Sequence, residues 1–163
     1  MAVLYLESSA LIKRYVPEKG SEVLDALVEG GAGSHDLTIS VLAILEQKSV
    51  LARLVRNRDI SRLDMREALA EFARDRKGFV LTLPMDNDLI DEASGHIDRH
   101  PLRSLDALHL AAALRVSEIA RRSGAVFAVV CSDGALMAAC QQAGLEVINP
   151  ENDEASARLG EMA

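Results

Sequence analysis

The sequence predicts an α/β domain with a parallel sheet covered on both faces, and three observations carry that prediction. Short apolar runs alternate with helix-periodic stretches along the whole chain. The clearest runs, AVLYL near the start and AVFAVVC near the end, lack the polar-out alternation of a half-exposed sheet, so they suit strands buried on both faces. The 163 residues suit one compact domain, and a hydrophobic content of 49% is enough for a core.

Ala2–Leu6 reads as the first buried strand, and Ser8 or Ser9 can cap a short helix through Arg14. VPEKGSE breaks the chain, a second helix lies near Glu18–Glu29, and GGAG (Gly30–Gly33) is a turn. A short strand leads to Ser40, the N-cap of a helix over Val41–Arg56. A further helix spans Arg62–Arg76, and Gly78–Pro84 reads as a strand. Asp86–Ile97 is helical, RHPLRS breaks it, and Leu105–Arg122 is a long Ala/Leu-rich helix capped by Ser104. Ala125–Cys131 is a buried strand, Ala135–Ala143 a helix closed by Gly144, and LEVIN a last short strand. Residues 1–150 make the domain, and 151–163 read as a loose acidic tail.

Composition narrows the function. Aromatics are 3% and Trp is absent, so the core rests on Leu, Val, Ile and Ala. The formal charge of −7 disfavours broad non-specific nucleic-acid binding, but it is compatible with a local basic patch or a cation-filled acidic site. The cation-rich stretch Arg53–Arg66 stands out against it. Cys131 and Cys140 form no CxxC or zinc spacing and read as reduced buried thiols. No apolar run approaches the ~20 residues of a membrane span, and a cytoplasmic protein is expected.

Ligands of parallel sheets bind beyond the carboxyl ends of the strands. Glu7 follows the first strand and Asp133 the fourth, so both fit that rim. Glu46, in the helix after the second strand, and Asp106, in the first turn of the long helix, fit it too. Singly, each has a structural reading as a cap, a helix-start charge or a solvated residue. Gathered together, they would repel one another, take up protons and suit Mg²⁺ or Mn²⁺, the hard cations of phosphodiester hydrolysis. Ser9 and Ser132 beside the acids read either as caps or as hydroxyls that orient a carboxylate. His109, three residues after Asp106, reads as a packed or hydrogen-bonded histidine rather than a ligand. Arg103, Arg53 and Lys13 are candidate phosphate contacts, with Arg14, Arg56 and Arg58 also able to border the groove.

Four blocks of the chain resemble PIN-domain proteins, and specifically the VapC-type toxins of bacterial toxin–antitoxin pairs. They are YLESSALIKRYVPEKGSE, TISVLAILEQKSVLAR with Glu46, LRSLDALHLAAAL with Asp106, and VVCSDGALMAACQQAGLEVINP with Asp133. The resemblance implies a three-layer α/β/α sandwich and an endoribonuclease that hydrolyses RNA with Mg²⁺, or alternatively Mn²⁺, held by Glu7, Glu46, Asp106 and Asp133. It also implies inhibition by a cognate antitoxin, and family members commonly form homodimers. The family's first acid is usually Asp. Glu7 is one methylene longer, which keeps open an RNA- or partner-binding module with weak or no nuclease activity.

Overall fold

The computed structural model describes residues 2–30 and 35–163, so the turn expected over Gly30–Gly33 lies largely outside the described residues. Five strands form one sheet: β1 (Ala2–Leu6), β2 (His35–Ser40), β3 (Leu81–Leu83), β4 (Val126–Val130) and β5 (Val147–Ile148). Their order is β3-β2-β1-β4-β5, and every pairing is parallel. The helices are α1 (Ser8–Leu11), α2 (Ser21–Glu29), α3 (Val41–Asn57), α4 (Arg62–Asp75), α5 (Asn87–Ile97), α6 (Ser104–Arg122), α7 (Gly134–Gln142) and α8 (Ala155–Glu161).

Alternation along the strands divides the core in two. Leu4, Leu6, Ala128, Val130 and Ile148 pack on one face with residues of α1 to α4 and α8. Tyr5, Val129, Cys131 and Val147 pack on the other with α5, α6 and α7. The result is the three-layer α/β/α sandwich. Strands packed on both faces leave little room for a polar side, which is why β1 (AVLYL) and β4 (VFAVV) run apolar, whereas β2 (HDLTIS) buries His35, Thr38 and Ser40.

Three elements differ from expectation. The 78–84 strand shrinks to Leu81–Leu83, because Arg76–Gly78 turns as a 3-10 helix before it and Pro84 has no N–H to extend the ladder at this sheet edge. The second helix starts at Ser21 rather than Glu18. Gly20 before it has φ of 91°, and a Cβ there would lie 2.7 Å from the Pro150 carbonyl oxygen, so only glycine fits. The acidic tail is not loose over 155–161: it folds as α8, and Ala155 and Leu159 enter the core beside Ile148. Two apolar residues four apart on one helix face are enough to dock it.

Candidate active site

The strand order reverses between β1 and β4, and this switch point opens a crevice at their carboxyl ends. The Glu7 N–H donates to the Val130 carbonyl at 3.0 Å and ties the two strand ends together there. A cleft of about 580 Å³ lies above them, and Glu7, Glu46, Asp106 and Asp133 all line it.

Each acid is placed by local structure. Glu7, not Ser8 or Ser9, is the N-cap of α1: its Oε2 accepts from the Ser9 N–H at 2.9 Å and from the Ser9 hydroxyl. Asp133 caps α7 through the Leu136 N–H at 2.8 Å. Asp106 sits in the first turn of α6 and receives the Arg103 N–H at 3.4 Å. Glu46 projects from α3, whose start Ser40 caps as expected through the Leu42 N–H at 3.2 Å. For Glu7 and Asp133, capping and cleft-lining are one arrangement, since a helix N-terminus holds a carboxylate at the end of the preceding strand.

Long-range contacts set the rest. The Ser8 hydroxyl donates to Glu46 Oε2 at 2.5 Å, and His109 Nε2 reaches the same oxygen at 2.6 Å. His109 Nδ1 lies 2.7 Å from the Tyr5 hydroxyl, and its Nε2 is 4.0 Å from Glu7 Oε1. One buried imidazole thus stands between the two glutamates. Burial works against charge on His109, but the hydrogen bond to Glu46 and the charges of Glu7 and Glu46 raise its pKa. Burial would raise Glu46 in turn; its bond to His109, that ring's charge and Ser8 hold it below its ordinary value. Like-charge crowding predicts raised carboxylates throughout. Asp106 follows, raised by burial and by Asp133, whereas Glu46 departs because a cation partner sits beside it.

Ser9 also accepts from the Ser132 N–H at 2.9 Å, so it links Glu7 to the β4–α7 turn. The Ser132 hydroxyl itself donates to Asn149 at 3.2 Å. Cys131 is buried with its sulfur 3.4 Å from Glu7 Oε2, and burial followed by the Glu7 charge raises its thiol far above the ordinary range. Cys140 is pushed up to about 12 by burial and Glu7, so both thiols stay protonated.

The candidate cations fare differently. Arg53 lines the cleft and is exposed. Lys13 lines it too, but it is 4% exposed and paired with Glu151 at 2.8 Å and Glu18 at 3.3 Å, so it is not a free phosphate contact as expected. Arg103 is exposed just before α6 and is not among the cleft-lining residues. Arg14 does not border the groove: its guanidinium is held by Asp25, Glu29, Glu71 and Asp75. Sequence reasoning missed Tyr5 and the link from Ser8 to Glu46. No local signal marks either, since their partners lie 104 and 38 residues away.

Together the fold and cleft define an α/β/α domain with an acidic crevice at its topological switch point. The chain belongs to the PIN-domain family, which it matches over residues 4–133, and within it to the VapC type. It is 34% identical over 121 residues to ribonuclease VapC45 of Mycobacterium tuberculosis (strain CDC 1551 / Oshkosh). The same identity and length hold for ribonuclease VapC49 of M. tuberculosis (strain ATCC 25618 / H37Rv). Each alignment covers 72% of this chain and 79% of the relative.

Proposed function

We propose that this protein is a divalent-metal-dependent endoribonuclease toxin, a hydrolase of RNA phosphodiester bonds neutralised by a cognate antitoxin. One observation carries the reading: four carboxylates line one cleft, and none is in ion-pair contact with a lysine or arginine among the described residues. The names of the two relatives, both ribonucleases, agree with it.

The residues fit a hard cation in donor type. Glu46 and Glu7 are each held through Oε2, by Ser8 and His109 in one case and by Ser9 in the other, so Oε1 of each is left for a ligand. Among the described residues no group of three or more acidic, His or Cys side chains is drawn close enough to hold an ion by itself. Mutual repulsion accounts for this spacing, since each carboxylate leans on its own donors instead. Glu7, Glu46, Asp106 and Asp133 would hold Mg²⁺, or Mn²⁺ given the longer arm of Glu7. Such an ion would polarise the phosphate and lower the pKa of the attacking water.

The protein's own groups do the rest. His109 and Ser8 hold Glu46 fixed, and Ser9 fixes Glu7. Arg53, exposed and lining the cleft, would meet a backbone phosphate there. A homodimer is part of the proposal.

Asp106→Asn tests the reading. It keeps the side-chain shape and removes the charge, and the helix start should lose only ~0.3–1 kcal/mol. We expect loss of RNA cleavage with both Mg²⁺ and Mn²⁺ at a nearly unchanged melting temperature. A variant that cuts a panel of structured RNAs as fast as wild type would remove Asp106 from the chemistry. Wild type that binds RNA and cuts none of the panel would favour a binding module instead.

A further inference from the structure

The α3–α4 hairpin carries a second groove, of about 250 Å³, lined by Ala52, Val55, Arg56, Arg62, Met65 and Arg66. Arg56 stands on one bank and Arg62 and Arg66 on the other, over an apolar floor of Ala52, Val55 and Met65. All three arginines are exposed, and none has a carboxylate within ion-pair distance among the described residues, in a protein of net charge −7. The acids of the same hairpin form no ion pair with them among the described residues. Asp64 is committed to a capping box with Ser61, whose N–H it accepts at 2.7 Å, and Asp59 and Glu67 form no ion pair among the described residues. By contrast Arg14, Arg115 and Arg158 are tied to carboxylates.

The groove lies around the exposed side of α3 from the catalytic cleft: the two share no lining residue, but exposed Arg53 of the cleft stands one helical turn from Arg56 of the groove. Helix α3 lines the cleft with Glu46, Ser49, Val50 and Arg53, then lines the groove with Ala52, Val55 and Arg56. Ten residues separate Glu46 from Arg56, about 15 Å at the helical rise of 1.5 Å per residue, the span of a few nucleotides. We propose that single-stranded RNA leaving the catalytic cleft crosses the exposed side of α3 past Arg53 into this groove, where Arg56, Arg62 and Arg66 bind its phosphates. The inference rests on the ribonuclease reading for its direction. Guanidinium groups match phosphate oxygens in a bidentate fork. The floor lacks aromatic side chains and base-edge donors, so the groove holds the backbone without reading the bases.

The experiment measures binding without cleavage. A fluorescently labelled oligouridylate of about 16 nucleotides, the upper range for one single-strand site, is titrated in EDTA with wild type and with R56Q/R62Q/R66Q. R99Q/R121Q/R122Q, three exposed arginines that line neither the cleft nor the groove, controls for net charge. The groove variant should bind at least about tenfold more weakly, with the slope of log K against log salt reduced by about 2, at roughly 0.7 for each phosphate no longer neutralised. The control should keep wild-type affinity to within about twofold, and all three proteins should melt alike. Equal affinity and slope for wild type and the groove variant would overturn the proposal, as would a wild type that binds no RNA at low salt. It would also fall if the groove variant kept its RNA affinity and lost only a polyglutamate peptide, because the groove would then be a protein site. RNA binding that depends on the groove, in a protein that cuts nothing with Mg²⁺ or Mn²⁺, would leave the groove standing and sink the nuclease reading alone.

Discussion

His109 is 1% exposed, yet its ring spans from the Tyr5 hydroxyl on the central strand to Glu46 on α3. On the metal-site proposal its work is orientation, because it and Ser8 hold Glu46 through one oxygen, Oε2. Removing a group that orients a metal ligand typically costs about 10–100-fold in metal affinity. His109→Leu should therefore weaken Mn²⁺ binding by about that factor in calorimetry at constant pH, while His109→Gln, whose amide can still donate to Glu46, should recover most of it. Equal Mn²⁺ affinity in a folded Leu variant would mean that His109 merely fills space. His35 makes a different prediction. It is buried, its Nδ1 has no partner among the described residues, and burial lowers its pKa below the ordinary 6.5. The unfolded chain then binds the proton more readily, so the stability His35 contributes is present above 6.5 and lost as pH falls through the lowered value. Urea midpoints should drop more steeply below about pH 6.5 in wild type than in His35→Gln. Parallel pH curves for the two proteins would count against the linkage.

At the scale of elements, Arg14 braces the short α1 segment against two helices. Its guanidinium meets Asp25 and Glu29 of α2 at 2.8 Å each, and Glu71 and Asp75 of α4 at 3.2 and 3.3 Å. Tyr15 donates to the same Asp75 at 3.2 Å. Exposure of several of these partners screens the pairs, so the network is worth less than a fully buried one. Arg14→Met should lower unfolding stability by roughly 1.5–3 kcal/mol, the range for hydrogen bonds to charged groups. Arg14→Lys should recover only part of that, because one ammonium cannot span four carboxylates in two helices. Urea denaturation of the two variants checks both statements, and an unchanged midpoint for Arg14→Met would show that the brace carries no stability.

Over the whole molecule, the sheet fixes which face each helix covers, and α8 closes the face that holds α1 to α4. Leu159 is 5% exposed there, so Leu159→Ala should cost about 2–5 kcal/mol, as for other buried leucines. A loose tail would give a change near zero in thermal or urea unfolding. Among the described residues, no helix is long and apolar enough to cross a membrane. Charge is distributed as unevenly as packing. The acids gather over the carboxyl ends of β1 and β4, and of the hairpin arginines without an ion pair among the described residues, Arg56 shares α3 with Glu46 while Arg62 and Arg66 stand on α4.

Much of this was legible in the chain itself, and the division has a physical cause. Strand runs, helix periodicity and caps such as Ser40 arise from contacts within a few residues, so they are written locally. The rule that parallel strands present their carboxyl ends to ligands then placed Glu7 and Asp133 on one rim. Tertiary structure alone decided which groups hold Glu46. Ser8 meets Glu46 across 38 residues, His109 meets it across 63, and Tyr5 meets His109 across 104. Such pairs depend on strand order and register, which no local pattern encodes. The same holds for Lys13, whose charge is taken up by Glu18 and Glu151, and for Leu159, whose burial needs a core assembled from both ends of the chain. Local sequence can say what a segment prefers to be, but burial and pairing are properties of what the fold brings beside it.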